Sequence, residues 1–217
     1  MASDAWSAEL TARVAEQIRT ARTAAGLTVA QTADACAALG VPVPKTTITN
    51  LELGRRASVD LAEFLVLARA LDVPPITLLF PLGKAATVEL VPGQSVSTWE
   101  ALAWFTGEAP AADAPAPEGS AQHLLDTFRA HSDAVATAAA STRLAKERRR
   151  KATAAPDPAR RAALLEAAAA YEALAAEDCR ELRDFRRRMT GLGLVPPPLP
   201  EALASVDEVA DVAGEDG

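Results

Sequence analysis

Cysteine is nearly absent: Cys36 and Cys179 are the only two in 217 residues, and they lie far apart. No disulfide framework is expected from them, and two isolated thiols fit a reducing cytoplasm, where the protein is expected to reside. Aromatic residues make up only 4% of the chain. With abundant alanine, that scarcity favours helix over sheet. No apolar run approaches the ~18 residues of a membrane span, and no charged segment followed by an apolar core opens the chain as a signal peptide does. The chemistry of catalysis is also missing. There is no nucleophile paired with a base, no glycine-rich phosphate loop and no supported pair of carboxylates, so an enzyme is not expected. The two histidines, His123 and His131, stand eight apart on one expected helix. No Cys, Asp or Glu completes a ligand set with both, so neither a metal nor a cofactor is expected.

Charge is scarce in places rather than throughout. The net charge of −7 argues weakly against a protein that coats nucleic acid. Residues 1–84 hold eight bases and eight acids, and residues 121–190 hold fourteen bases against ten acids. Residues 85–120 and 191–217 contain no base at all. A neutral segment can still bind DNA if its bases cluster on one face.

The stretch from Thr28 to Arg56 is the most informative. Thr28-Val29-Ala30-Gln31 has the form of a capping box and predicts a helix start. Ala33, Leu39 and Val41 supply its apolar side and exit, and Gly40 suits its C-terminal end. Pro44 can take the first position of a second helix, about Pro44–Leu53. Ile48 and Leu51 then face inward, and Lys45, Thr46, Thr47, Thr49 and Asn50 largely outward. Gly54 stops this helix, and Arg55-Arg56 follow. A first helix over 7–25 precedes the pair, with Leu10, Val14, Ile18 and Ala21 or Arg22 at helical spacing, Gly26 at its end and Trp6 just before it. Asp60-Leu61-Ala62-Glu63 reads as another capping box, opening a helix to Leu71 with Leu61, Leu65, Ala68 and Leu71 inward. Pro74-Pro75 starts a fifth helix through Phe80. The expected core is Ile18, Leu27, Ala33, Ile48, Leu51, Leu65 and Leu78.

In order, Arg22, Gly26-Leu27-Thr28, Ala33, Gly40-Val41, Ile48-Thr49, Glu52, Gly54-Arg55-Arg56, Leu65, Ala68-Arg69-Ala70-Leu71-Asp72-Val73 and Leu78-Leu79 resemble the lambda-repressor-like (Xre) helix-turn-helix family over roughly residues 8–83. The chain departs from that pattern in one place. Asp34 to Leu39 puts six residues between the alanine and the glycine where the family usually has three, and the connection to Ile48 is two longer. The turn is therefore expanded, and the resemblance alone does not set the angle of the second helix. The resemblance implies that Lys45, Thr46, Thr47 and Asn50 read base edges. Asparagine can pair bidentately with adenine, and threonine methyls can meet the thymine methyl. Thr28, Gln31, Thr49, Arg55 and Arg56 are expected at phosphates. Arg22 and Glu52 match a pair that in this family often forms a partly buried ion pair joining the first helix to the recognition helix.

Beyond residue 83 the character changes. In 84–108, Thr87–Val91 is a short strand candidate, Pro92-Gly93 a turn, and Ser97 or Thr98 the cap of a helix carrying Trp99, Leu102, Trp104 and Phe105. Without convergent polar groups, this segment reads as a packing module for the preceding domain or a second copy of it, rather than a ligand pocket. Residues 109–119 are a Pro/Ala linker. Residues 120–191 read as a long helical hairpin with arms over 120–153 and 158–190. Its first seam is Leu124, Phe128, His131, Val135, Ala138, Thr142 and Ala145. Its second is Leu164, Ala168, Tyr171, Ala175, Asp178, Leu182, Phe185 and Met189. Arg148-Arg149-Arg150-Lys151 and Arg160-Arg161 converge on its tip, and Arg186-Arg187-Arg188 lies at the other end as a basic face. The Pro-rich acidic tail, 192–217, is expected to be largely disordered, with Ala202 to Val212 at most transiently helical.

The expected fold is mainly α: a five-helix lambda-repressor-like DNA-binding domain over 1–83, a strand/helix aromatic segment, then an antiparallel coiled-coil hairpin. The expected function is that of a sequence-specific DNA-binding transcriptional regulator, a repressor, acting as a homodimer on a palindromic double-stranded operator. The hairpin is the expected main adhesive between copies, with the aromatic segment as its competitor. The alternative is an interaction adaptor, in which the hairpin binds a protein partner and the helix-turn-helix domain is a scaffold or tether.

Overall fold

A computed structural model describes residues 2–108 and 116–208. The fold is mainly α. The described residues fall into two compact units, one up to residue 108 and one from residue 116. Among them no helix is long and apolar enough to cross a membrane.

The first unit opens with α1, Ala2–Ala24, followed by α2 (Val29–Ala38), α3 (Lys45–Glu52), α4 (Leu61–Ala70) and α5 (Pro75–Leu79). Helix α1 starts five residues before the expected position, and Trp6 sits inside it, its indole N–H donating to the Glu89 carbonyl at 3.3 Å. Asp4 in the first turn favours that early start. The first four helices end alike. After α3, the Gly54 amide donates to the Leu51 carbonyl at 3.0 Å and the Arg55 amide to Asn50 at 2.8 Å. This Schellman closure needs a left-handed residue, and Gly54 supplies it at φ +66°. After α4 the same two bonds form from Asp72 and Val73, and here an aspartate takes the left-handed position at φ +53°.

The core joins Val14 and Ile18 of α1, Ala33 and Cys36 of α2, Ile48 and Leu51 of α3, and Phe64, Leu67, Ala68 and Leu71 of α4 and its cap, with Val43 and Leu78. Several expected inward residues lie outside it. Leu39 and Val41 are exposed, because α2 buries Thr32, Ala33 and Cys36 and the chain turns inward only at Val43. Leu61 and Leu65 are exposed as well. Phe64, Leu67, Ala68 and Leu71 make a tighter i, i+3, i+4, i+7 stripe, which leaves Leu61 and Leu65 at its edge. Leu27 is half-buried. Pro44 is the N-cap of α3 rather than its first helical residue. Asp60 caps α4 by accepting from the Ala62 and Glu63 amides, but the Glu63 carboxylate turns to Arg56, so the box is not reciprocal.

A hairpin of β1 (Thr87–Val91) and β2 (Gln94–Ser97) follows, turning at Pro92-Gly93. The second strand had no sequence signal strong enough to register. Helix α6, Thr98–Thr106, is closed by a reciprocal Ser97–Glu100 capping box. It packs by its small face: Thr98, Ala101, Leu102 and Ala103 are buried, beside Phe80 and Val88. Trp99 and Trp104 are each 61% exposed and Phe105 54%, although Phe105 meets Phe80 edge-on at 5.6 Å. The aromatics therefore do not form the packing face.

The second unit is an antiparallel pair, α7 (Ala121–Thr153) and α8 (Pro158–Gly191). Burial recurs every seventh residue: His131, Ala138, Ala145 and Ala152 on α7, and Ala168, Ala175, Leu182 and Met189 on α8. The alternate seam positions close less. Phe128, Val135, Thr142, Tyr171, Asp178 and Phe185 are half-buried, and Leu124 and Leu164 are exposed. Between the arms, Asp157 caps α8 and the Arg161 Nε donates to the Ala155 carbonyl at 2.9 Å.

A largely disordered tail from Leu192, with at most transient helix over Ala202–Val212, is the expectation, and the structure is more ordered. A turn at Glu201–Leu203 and α9, Ser205–Glu208, lie back on the hairpin, with Leu203 and Val206 buried against Ala138 and Leu182. Arg186 ties this strap down. It forms a bidentate pair with Asp207 at 2.9 Å and donates to the Pro197 carbonyl at 2.7 Å. It was expected in a solvated basic face; instead it is 11% exposed. The expectation for 209–217, like that for most of the linker at 109–115, lies outside the described residues.

Candidate nucleic-acid interface

Helix α2, a six-residue connection and α3 form the framework. Thr28 Oγ1 accepts from the Gln31 amide at 3.2 Å, and Gln31 Oε1 accepts from the Thr28 amide at 2.8 Å. Both side chains are therefore engaged in closing α2, and both remain exposed beside its N-terminus. Helix α3 has no side-chain cap, which leaves its first-turn N–H groups to solvent or to an anion.

At 100° per residue, Lys45, Thr46, Thr49, Asn50 and the C-cap Leu53 share an arc of about 140° on α3, opposite buried Ile48 and Leu51. Lys45, Thr46 and Thr49 are exposed and Asn50 is half-buried. Thr49, assigned to phosphate on sequence, sits in the middle of this face. Thr47, assigned to base edges, is half-buried toward the flank. Leu53, 56% exposed, was missed. Its signal was an apolar residue one position before the stop glycine, with no inward partner at i−3 or i−4.

Arg22 holds this face in place. Its Nε and Nη2 donate to Glu52 Oε1 and Oε2 at 2.6 and 2.7 Å, and its Nη1 donates to the Leu27 carbonyl at 2.8 Å. One guanidinium thus joins α1, the turn before α2, and α3. The side chains are 15% and 9% exposed. The hydrogen bond to Glu52 pushes the Arg22 pKa above its ordinary value against the effect of burial, so the guanidinium stays charged. Of the two arginines after α3, Arg55 is exposed, whereas Arg56 is ion-paired with Glu63 across to α4. Thr11 Oγ1 donates to the Ala57 carbonyl at 3.2 Å and fixes that loop to α1.

Cys36 is a free, buried thiol whose pKa burial pushes up, and Cys179 is also free. Among the described residues no group of three or more His, Cys, Asp or Glu stands together as a metal site would.

Residues 13–79 match the family described as a helix-turn-helix domain, a family typical of lambda-repressor-like regulators. No curated protein and no solved structure matches the chain significantly.

Proposed function

We propose that this chain, whose residues 13–79 match a helix-turn-helix domain family, is a sequence-specific DNA-binding transcriptional regulator of the lambda-repressor-like kind that acts by binding and not by catalysis. The observation that carries the reading is the polar face of α3, fixed at its edge by the bidentate Arg22–Glu52 pair. Threonine and asparagine lower helix propensity, so stability alone does not account for Lys45, Thr46, Thr49 and Asn50 on an eight-residue helix. In the major groove Asn50 pairs with adenine, Lys45 reaches guanine, and the methyls of Thr46 and Leu53 meet thymine. Arg55 and the uncapped N-terminus of α3 take phosphates, with the exposed Thr28 and Gln31 side chains beside α2. Repression is the simplest outcome, since it needs only occupancy of the operator.

One such unit reads few base pairs, so a homodimer on a palindromic site is proposed, with half-site centres about one helical turn (~34 Å) or a multiple apart. Selection of bound fragments from random duplex DNA tests the reading. Asn50→Ala should cost ~1–3 kcal/mol on the selected site and relax the preference at one base pair. Arg55→Ala should weaken all sequences alike. Equal binding of wild type and Asn50→Ala to selected and random duplexes would overturn the proposal.

A further inference from the structure

The helix-turn-helix unit is poor in available cations. Residues 1–108 hold eight bases and eleven acids. Arg22, Arg56 and Arg69 are in ion pairs, Lys84 donates to Gln17, and the Arg13 Nε is buried. Arg19, Lys45 and Arg55 remain. Each phosphate neutralised contributes about 0.9 to the salt slope of binding, so three unpartnered cations give a slope of about 3 for one unit and about 5 for the proposed homodimer, at the lower edge of the 6–10 contacts of a firmly held protein.

The missing charge stands in the second unit. Residues 143–161 hold eight bases and two acids. The acids nearby are already occupied. Glu147 pairs with Lys151, which lowers its pKa and keeps it charged, and Glu172 pairs with Arg149 at 3.7 Å. Arg148 lies over the Tyr171 ring at 5.2 Å. Arg143, Lys146 and Arg150 are exposed, and among the described residues none of the three is in an ion pair. At i, i+3 and i+7 they form one stripe on α7, about 10 Å long, the rise of about three base pairs. Lys146 and Arg150 also rim a groove between the arms floored by Thr142, Ala145 and Ala175, which are too small to hold a phosphate backbone off. Only residues 109–115 separate the two described units, so a duplex held by the first is presented to the second at high effective concentration.

We propose that Arg143, Lys146 and Arg150 form a second DNA-binding surface, which grips the phosphate backbone without reading sequence while α3 supplies the specificity. This rests on the DNA-binding reading of the first unit.

The test uses the full chain and 40-base-pair duplexes, one carrying the selected site and one scrambled, over 50–200 mM KCl. The variant Arg143→Gln/Lys146→Gln/Arg150→Gln keeps helix propensity. It should lose at least about 10- to 100-fold in affinity for both duplexes near 150 mM salt, and its salt slope should fall by about 2–3 for each chain bound. The ratio of selected to scrambled binding should stay as in wild type. Arg143→Lys/Arg150→Lys should retain the slope, which separates charge from folding. Asn50→Ala should do the reverse, losing the ratio and keeping the slope. An unchanged slope in the triple glutamine variant overturns the proposal. So does unchanged or tighter DNA binding by that variant together with loss of polyglutamate binding, which would assign the stripe to an acidic protein segment. If wild type binds both duplexes equally, the reading of α3 fails instead, and the slope comparison still decides the stripe.

Discussion

Arg22 carries three hydrogen bonds, and two of them end on one carboxylate. Arg22→Met alone leaves Glu52, 9% exposed, without its partner, and Glu52→Gln alone leaves a mostly buried guanidinium underpaired. Each single change should cost about 1–3 kcal/mol of stability and weaken DNA binding through the angle of α3. The double variant should lose less than the sum, with a coupling of at least ~0.5 kcal/mol by thermal or urea unfolding. Additive losses would mean that the pair does not act as one. A second residue offers a gain. Asp72 holds the left-handed position that glycine holds after α1, α2 and α3, and its ion pair with Arg69 is almost fully exposed. Asp72→Gly should raise the unfolding midpoint of the first unit, by about 0.5–1 kcal/mol in stability, and Asp72→Val should lower it. All three tryptophans, Trp6, Trp99 and Trp104, lie in that unit, so their fluorescence follows its unfolding.

At the scale of elements, the hairpin and its strap meet at His131, which is 2% exposed. Its Nε2 lies 2.9 Å from the Arg186 Nη1, a donor, so the ring accepts there and is neutral. Burial and the Arg186 charge push its pKa below the ordinary 6.5, and Asp207 opposes them more weakly. Folded and unfolded chains alike carry a neutral ring above that value, so stability is flat there. As pH falls below 6.5, the unfolded chain takes up a proton that the folded ring refuses, and the second unit loses stability until the folded pKa is passed. His131→Gln keeps an acceptor for Arg186 and should abolish this loss, read by far-UV circular dichroism between pH 7 and 5. An equal loss in wild type and variant would assign the pH response to other groups. The strap also marks where sequence reading stopped. Local signals carried the Thr28–Gln31 box, the Ser97–Glu100 box, the glycine stops and the heptads. Leu199, Leu203 and Val206 at spacings of four and three were a fainter signal, outweighed by surrounding proline and acid. Their partners Ala138 and Leu182 are distant in sequence. Strand β2, only Gln94–Ser97, is likewise defined by pairing with β1 rather than by its own composition. On α3 the polar face was legible from spacing, but the ion pair of Arg56 was not, because its partner Glu63 comes from the next helix.

Assembly is decided at the scale of the whole molecule, and burial shifts the weight between the two competing surfaces. On sequence the hairpin was the stronger adhesive, because two alanine-rich arms bury little alone. In the fold, the strap covers one end of its seam with Leu203 and Val206, and α7 and α8 bury one residue per heptad against each other. What the second unit leaves outside is aliphatic: Leu124 and Leu125 at 44%, Leu164 at 37%, Leu174 at 53%, Leu192 at 71% and Val195 at 83% exposure, with Leu124 and Leu192 lining one cavity. The first unit leaves out aromatic surface. Trp99 and Trp104 are 61% exposed and Phe105 54%, and at 100° per residue the three stand on different sides of α6. Three large apolar side chains on one nine-residue helix are costly to leave in water. A second copy is the occupant that the palindromic reading requires, and joining through α6 fixes half-site spacing without passing through residues 109–115. A fragment of residues 1–108 should therefore be dimeric by light scattering and retain site-specific DNA binding. Residues 116–208 alone should be helical and monomeric. Trp99→Glu/Trp104→Glu in the full chain should give monomers whose affinity for a single half-site is unchanged, while the gain from a second half-site is lost. A full chain that stays dimeric with both glutamates, beside a dimeric 116–208 fragment, would return the interface to the hairpin and make the exposed aromatics of α6 a surface for another partner.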